Sequence, residues 1–436
     1  MGNLILGAFC AVLFIFIAMG LPLLGALFIG FLLFAGYALH LGHGVKAVLS
    51  MAWEGIWRIR MLLLVFMLIG VLTGLWRASG TIAYIIAGAV SWIRPSIFLL
   101  LAFLLNCGIS FLLGSSFATG ATMGVITFSV GQSLGIPALC SGGAILSGAY
   151  FGDRMSPVST SALLVSTLTE TDIYRNIGNM ARSAVGPFCL SVLLYVGIGF
   201  FVSPAAKEVA TMTGPLEGLY HFTPLLLLPA LSILLLSFFR VSVKKNMLVS
   251  IVLAFFLALF VQQHSVTDLF QIMVRGYRTT DPAMAHMLNG GGIQSMLRLS
   301  AIVCLSSSYS GIFKGTGLLH GLETLLDRFQ QKAGAYPAVL LSSIFTGLVS
   351  CNQTLTLMLT HQLTYSFVRK KEEMALFLEN TAELIPALIP WSIAFTGVMD
   401  SAGVPGYAAV CCAFYPILLP LWGLVKKRKY KAGKNL

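Results

Sequence analysis

An all-α, polytopic membrane protein is the fold class this sequence predicts, and three observations predict it. Of 436 residues, 57% are hydrophobic and only 10% charged, with a mean hydropathy of +0.90; a globule of this size in water needs more polar surface than that. Residues 1–45, 61–76, 95–152, 183–206, 218–239, 246–267, 333–368 and 401–425 contain no Asp, Glu, Lys or Arg, and several of these stretches exceed the roughly 20 residues that cross a bilayer core. They are continuously apolar, where a barrel strand alternates over about ten residues, so helices must satisfy the backbone hydrogen bonds.

Broken at Gly, Pro and charged residues, the apolar runs give spans near 3–19, 22–40, 61–77, 96–113, 121–151, 183–203, 222–239, 246–263, 297–313, 335–350, 352–368, 384–399 and 405–425. About 10 to 12 of these would be transmembrane helices, the others broken helices or re-entrant hairpins. The N-terminal Met-Gly-Asn lacks the basic region of a secretory signal, and the run from Leu4 continues past Pro22 to near Tyr37. Two anchored helices are expected there, not a cleaved peptide. The organisation that follows is a helical hairpin over 1–45, a first repeat over 46–202, a loop over 203–221, a second repeat over 222–425 and a basic tail over 426–436.

The net charge is +12, from 27 basic and 15 acidic residues. The basic residues cluster in short inter-helix loops, which is topology signalling and not a nucleic-acid surface. Lys426, Lys427, Arg428, Lys429, Lys431 and Lys434 form the tail, and Arg240, Lys244 and Lys245 mark a loop; both are expected on the cytoplasmic side of the cell membrane, with Arg58 and Arg60. The eight cysteines lie scattered in apolar segments without ligand spacing, and the seven histidines show no HxxxH or HExxH pattern. Neither a disulfide framework nor a metal site is expected. No Walker motif or hydrolase elbow is present, so no cofactor is implied and energy must come from an ion gradient, with Na+ or H+ as the coupling ion, or from a separate subunit. Lipid and a small ion or solute are the partners that follow; assembly as a homodimer stays open.

A repeat is legible. Gly74-Leu75-Trp76-Arg77-Ala78-Ser79-Gly80-Thr81-Ile82 shares the pattern G-apolar-aromatic-basic-small-S/T-G with Gly311-Ile312-Phe313-Lys314-Gly315-Thr316-Gly317-Leu318-Leu319. Each copy ends an apolar helix and opens an amphipathic one. Downstream of each comes an apolar helix, from Pro95 and from Pro337, and then a polar break at Gly114-Ser115-Ser116 or at Ser350-Cys351-Asn352-Gln353-Thr354. Interrupted hydrophobic segments at corresponding positions of two repeats are the sequence mark of a transporter site near the bilayer midplane.

The polar residues in these breaks are the candidate ligands. Asp153 follows the charge-free stretch 95–152 and precedes Ser156-Pro157-Val158-Ser159-Thr160; a carboxylate there is expensive unless used or paired. Pairing with Arg154 or capping of the helix that enters at Pro157 are the structural alternatives. Glu379 and Glu383, four residues apart, are expected on one helical face, where two buried carboxylates cannot both ionise cheaply, which suits a cation or a shuttled proton; two interfacial glutamates facing water are the alternative. Ser115, Ser116, Thr119 and Thr122, interleaved with Gly114, Gly120 and Gly124, offer hydroxyls and carbonyls that can replace a hydration shell or serve helix packing. Glu54, Glu208, Glu217, Glu323, Asp327, Glu372 and Glu373 lie in polar or basic segments and are expected in solvent.

Three stretches resemble the NhaC family of sodium/proton antiporters, within a broader group that includes dicarboxylate and amino-acid carriers: Gly114 to Gly124, Ser147 to Ser159 with its FGDxxSPxS pattern, and Leu378-Glu379-Asn380-Thr381 through Ile389-Pro390-Trp391. The likeness spans most of the chain. It implies that Asp153, Ser156, Ser159 and Glu379 lie at or near an ion path, between two inverted repeats with broken helices and an elevator-like movement. Three positions depart from that pattern: Thr160 stands where SPxSD has its Asp, Asn352 where Gly-Asp-Gln is usual, and Asn380 where Glu-Asp is usual. The full candidate set is Asp153, Ser156, Ser159, Thr160, Ser115, Ser116, Thr119, Thr122, Asn352, Gln353, Thr354, Glu379, Asn380, Thr381 and Glu383. Monovalent cation/proton antiport is the first expectation. A Na+- or H+-coupled carrier of amino or organic acids is the alternative, motivated by the missing acids and by Trp391 and Phe395 beside the second break. An enzyme is not expected: an intramembrane protease would need a second catalytic Asp, and none fits.

Overall fold

Apolar runs punctuated by Gly, Pro and Ser fold into helices that stop at the punctuation. The computed structural model describes residues 2–19, 21–92, 94–157, 159–202, 219–239, 241, 243–279, 288–318 and 320–432. Most of the 203–221 loop, with Glu208 and Glu217, lies outside the described residues, as do Val158, Arg240, Leu319, residues 433–436 and the side chains of Arg58, Lys314, Glu323 and the tail from Lys426.

An N-terminal hairpin, α1 (Gly2–Ala18) and α2 (Leu23–His40), precedes α3 (Val45–Arg58). The first half continues as α4 (Arg60–Ala78), α5 (Thr81–Trp92), α6 (Pro95–Leu113), α7 (Ser116–Thr119), a π-turn at Gly120–Gly124, α8 (Val125–Ser133), α9 (Ala138–Met155), α10 (Thr160–Thr169) and α11 (Ile173–Val202). The segment expected as the second repeat opens with α12 (Leu228–Phe238), α13 (Val243–Phe260) and α14 (Val266–Arg275). It continues as the second half proper, α15 (Ile293–Thr316), α16 (His320–Ala333), α17 (Ala335–Ser350), α18 (Gln353–Thr364), α19 (Lys371–Asn380), α20 (Ile393–Ala402) and α21 (Phe414–Ala432). Among the described residues the only β pairing is an isolated bridge between Tyr277 and Gly290.

By length and composition alone, Pro95–Leu113, Ile173–Val202 and Ile293–Phe313 can each cross a membrane, and two bent pairs can do so as broken spans: Leu63–Ala78 with Thr81–Gly88 at 64°, and Lys371–Leu388 with Ile393–Ala402 at 59°. Other apolar helices are shorter because the chain interrupts them. The expected span over 121–151 is two helices separated at Gly135 and Pro137. That over 384–399 is also two pieces, a 3-10 turn at Ile385–Leu388 and α20, since Pro386 and Pro390 cannot donate the helical hydrogen bonds. The segment Val45–Arg58, which the charge pattern leaves unassigned, is a helix that lies along α15, with Gly55 against the Ser307 carbonyl and Gly311 against that of Met51.

Element order repeats. The run α4–α5–α6–break–α7/α8–α9–break–α10–α11 has its counterpart in α15–α16–α17–break–α18–α19–break–α20–α21. The repeated motif does the same work twice, placing Gly80 (φ 78°) and Gly317 (φ 61°) in left-handed conformation at the end of α4 and α15. Both later breaks are also built alike. A left-handed residue, Gly114 (φ 60°) or Cys351 (φ 53°), ends one helix, and an extended residue, Ser115 or Asn352, caps the next.

Close packing of α6 on α9 positions the first break. Gly148 and Gly152, four residues apart on α9, face Phe103–Ser110 of α6 so tightly that a Cβ on either would meet α6 backbone within 2.6 Å, the small-residue approach of membrane helices. α11 and α21 run antiparallel, joined by the Tyr195 hydroxyl to the Cys412 carbonyl (2.7 Å) near one end and by the Trp422 ring on Gly186 further along. The start of α6 packs through Ser96 on Gly199, late in α11. The start of α17 packs through the Tyr336 hydroxyl on the Pro420 carbonyl of α21 (3.0 Å).

Candidate functional site

The breaks converge. In the first half, Ser115 turns its hydroxyl onto the Ala118 N–H as an N-cap (3.3 Å), which leaves the Ser116 N–H free to donate to Asp153 Oδ2 (3.0 Å). The other carboxylate oxygen, Oδ1, accepts from Ser159 Oγ (2.6 Å), and Ser159 is itself the N-cap of α10. Asp153 is therefore held from both sides by helix starts, where positive partial charge favours an anion. It makes no ion pair with its neighbour Arg154.

Arg154 reaches across to the second half. Its Nε donates to the Glu379 carbonyl (3.0 Å), its Nη1 to the Tyr415 hydroxyl (2.9 Å), and its Nη2 to Asn380 Oδ1 and to Ser183 Oγ (3.3 Å). The Glu379 carboxylate lies 4.0 Å from Arg154 Nε, too far for a hydrogen bond. Arg154 is fully buried, as are Glu379 and Glu383. From the sequence alone this arginine is a candidate partner for Asp153 and nothing more. The signal was the one that flagged Asp153, a charge at the end of a long silent stretch.

The second-half pair differs from its sequence picture. α19 stops at Asn380, and Thr381 (φ −129°, ψ −76°) leaves the helix, so Glu379 and Glu383 do not share a helical face. Glu379 closes the helix and Glu383 sits in the break, its N–H on the Leu378 carbonyl (3.1 Å). Gln353, first residue of α18, binds Glu383 twice, Nε2 to Oε1 (2.7 Å) and to the main-chain carbonyl (3.1 Å). Glu379 and Glu383 feel each other and Asp153 electrostatically. Both oxygens of Glu379, Oε2 of Glu383 and the hydroxyl of Ser116 are buried without a hydrogen-bond partner. Tyr150, also overlooked in the sequence, ties α9 to α20 through its hydroxyl on the Ala394 carbonyl (2.8 Å).

Other candidates divide by position. Ser156 and Thr381 are buried, and Thr381 accepts from Ser343 (3.0 Å). Asn352 caps α18 through the N–H groups of Thr354 and Leu355 (2.9 and 3.4 Å). Thr119 and Thr122 bond to carbonyls of their own helix. Thr160 and Thr354 are exposed. Trp391 is buried with its indole N–H on the Leu348 carbonyl (3.1 Å).

Chemically, three buried carboxylates share one buried cation, Arg154. Ionised together they would leave two negative charges uncompensated in a low-dielectric site, so protons or a bound cation must balance them. The donors are oxygens of carboxylate, hydroxyl and amide, which suit a hard cation and not a soft metal. Among the described residues no group of three His, Cys, Asp or Glu could hold a metal ion.

Comparison with known proteins decides the family. The profile of the Na+/H+ antiporter family matches residues 1–172 and 148–404. The chain belongs to that family. It is similar to the Na(+)/H(+) antiporter NhaC of Bacillus subtilis (strain 168), with 30% identity covering 92% of each chain. It is also similar to the malate-2H(+)/Na(+)-lactate antiporter of the same organism, 26% identical over 89% of this chain and 86% of that one. The arginine/ornithine antiporter ArcD of Halobacterium salinarum is 26% identical, over 84% of this chain and 77% of that one. As a member of the Na+/H+ antiporter family this is a multi-pass membrane transporter and not an enzyme, and the resemblance read from the three motif stretches holds along the chain.

Proposed function

We propose that the chain exchanges a monovalent cation, Na+ first, for protons, and that Asp153, Glu379 and Glu383 form the exchanging cluster. The observation that carries this reading is the three partnerless oxygens on Glu379 and Glu383, buried beside Asp153 and short of positive charge. One site that accepts either protons or a cation, and not both at once, is the minimum an antiporter requires. Asp153, fixed by Ser116 and Ser159, sets the field; Glu379 and Glu383 supply unbonded ligand oxygens; Ser116 Oγ and Gln353 complete an oxygen cage.

The breaks that bring these residues together belong to two repeats of opposite orientation. In support, α6 starts against the late part of α11, whereas α17 starts against α21 near Pro420, and α11 and α21 are antiparallel, so the two hairpins enter from opposite ends. An elevator-like shift of the breaks against the remaining helices would alternate access. The basic residues at the end of α21 support a cytoplasmic C-terminus.

The test is dye dequenching in everted vesicles. Addition of Na+ or Li+ should collapse a preformed pH gradient in wild type over the neutral to alkaline range, and Asp153→Asn should abolish the response. No response in wild type, or full response in the variant, rejects the reading. The uncharged Thr160, Asn352 and Asn380 favour a second reading, ion-coupled exchange of amino or organic acids. Labelled solute entering proteoliposomes without Na+-induced proton movement would select it.

A further inference from the structure

Away from the acidic cluster, the first turns of α11 face the start of α19 across a cleft of about 760 Å³, lined by Arg175, Gly178, Asn179, Arg182, Lys370 and Glu372. Arg175 and Arg182 are seven residues apart, two helical turns, and so project from one side of α11. Gly178 between them leaves the floor open, with no atom within 4 Å of where a Cβ would stand. Glu372 is engaged by Arg175 (3.3 Å), and Lys371 turns to Glu170 (2.5 Å). Among the described residues Arg182 and Lys370 make no ion pair. The cleft therefore holds three cationic side chains against one carboxylate, with the Asn179 amide beside them.

A second feature continues from it. Following Arg182 at helical spacing, Cys189, Leu193 and Phe200 are exposed on the same side of α11, and Val185 and Trp422 of α21 flank them. A basic cleft at the head of an exposed apolar stripe on one membrane helix matches the two ends of a single kind of molecule. We propose that this surface binds an anionic phospholipid, its phosphate between Arg182, Lys370 and Asn179, and one acyl chain along Cys189, Leu193 and Phe200 beside Trp422. The bound headgroup bridges α11 to α19. Both helices run from the cleft to the acidic cluster, α19 ending on Glu379 and Asn380, and α11 carrying Ser183 beside Arg182 with its hydroxyl on Asn380 Oδ1 (3.2 Å).

The experiment is titration of the purified full chain in detergent with phosphatidylglycerol or phosphatidylcholine of matched acyl chains, read by native mass spectrometry and thermal unfolding. Phosphatidylglycerol should bind and raise the unfolding temperature, whereas phosphatidylcholine should not. In the double variant Arg182→Gln/Lys370→Gln, phosphatidylglycerol affinity should fall about thirtyfold, the loss of two surface contacts with an anionic lipid. Gly178→Glu, which sets a carboxylate in open space at the cleft floor, should weaken binding in the same direction and serves if the double variant does not fold. Equal binding of the two lipids overturns the proposal, as does undiminished phosphatidylglycerol binding in a folded variant. If inorganic phosphate alone reproduces the full thermal shift, the cleft is a site for free phosphate and the lipid assignment is rejected.

Discussion

The break after α6 and the break after α17 share a backbone and differ in chemistry. In both, a left-handed residue is followed by an extended N-capping residue and a helix start. In the first half the carboxylate is fully engaged: Asp153 takes the Ser116 N–H and the Ser159 hydroxyl. In the second half it is not. Gln353 satisfies one oxygen of Glu383, and Glu379 keeps two oxygens without hydrogen bonds. In the exchange proposed above, the first break supplies a fixed charge and the second supplies ligands free to bind, so two breaks of like backbone would make a single asymmetric ion site. Arg154 joins them, rooted in the first half with hydrogen bonds to Glu379 and Asn380 in the second.

The largest effect is expected where that asymmetry is removed. Glu379→Gln keeps the shape but takes away the charge whose oxygens have no hydrogen-bond partner, and Na+-dependent proton exchange in vesicles should drop by at least about a hundredfold. Gln353→Ala leaves the Glu383 charge in place and removes only the amide that orients it, so exchange should fall by about tenfold at saturating Na+. Equal losses in the two variants would mean that the second half is a hydrogen-bonded unit like the first.

Arg154→Met tests the joint between the halves. Removing one partner of a buried charge network leaves the rest uncompensated and costs about 3–5 kcal/mol; thermal unfolding in detergent should show it, and raising Na+ should recover part of the loss if a cation takes over the balancing role. A change under about 1 kcal/mol would show that the three carboxylates are balanced without the arginine.

Much of this comparison was legible in the residues. Both breaks stand out because Gly, Ser and Asn interrupt long apolar runs, and the recurring nine-residue motif is visible because a left-handed turn selects Gly80 and Gly317. The partners across 225 and 226 residues, from Arg154 to Glu379 and Asn380, were not, because nothing local distinguishes an arginine that serves the neighbouring Asp153 from one that spans the protein. The helical face assigned to Glu379 and Glu383 failed for a related reason. Four-residue spacing reports a shared face only if the helix continues, and the break at Thr381 is set by the packing of Ser343 and Gln353 against that turn. α3 escaped because Lys46 and Glu54 fall inside it, so a search for charge-free spans passes over an amphipathic helix.

Two of the uncharged positions can be given a carboxylate. Asn380→Asp adds a carboxylate within reach of Arg154 and beside the free oxygens of Glu379, and the Na+ concentration for half-maximal exchange should fall by about tenfold, equivalent to ~1.4 kcal/mol. Thr160→Asp adds the same group at an exposed first position of α10, where it serves the helix dipole, worth about 0.3–1 kcal/mol of stability, and the half-maximal concentration should move less than about twofold. Equal shifts would place Thr160 at the ion after all.

The smallest effects belong to the backbone device the halves share. At φ 60° Gly114 tolerates its conformation without cost, whereas Cys351 holds φ 53° with a side chain, a strain of about 1–2 kcal/mol. Gly114→Ala should therefore destabilise by about that amount. Cys351→Gly should release the strain but give up the burial of a sulfur in the apolar cluster that includes Tyr309, Val349 and Ile389, for a net change within about 1 kcal/mol. If both substitutions destabilise equally by thermal unfolding, the second break is maintained by the packing of Cys351 and not by the turn itself, and the likeness of the two breaks is one of outcome with different causes.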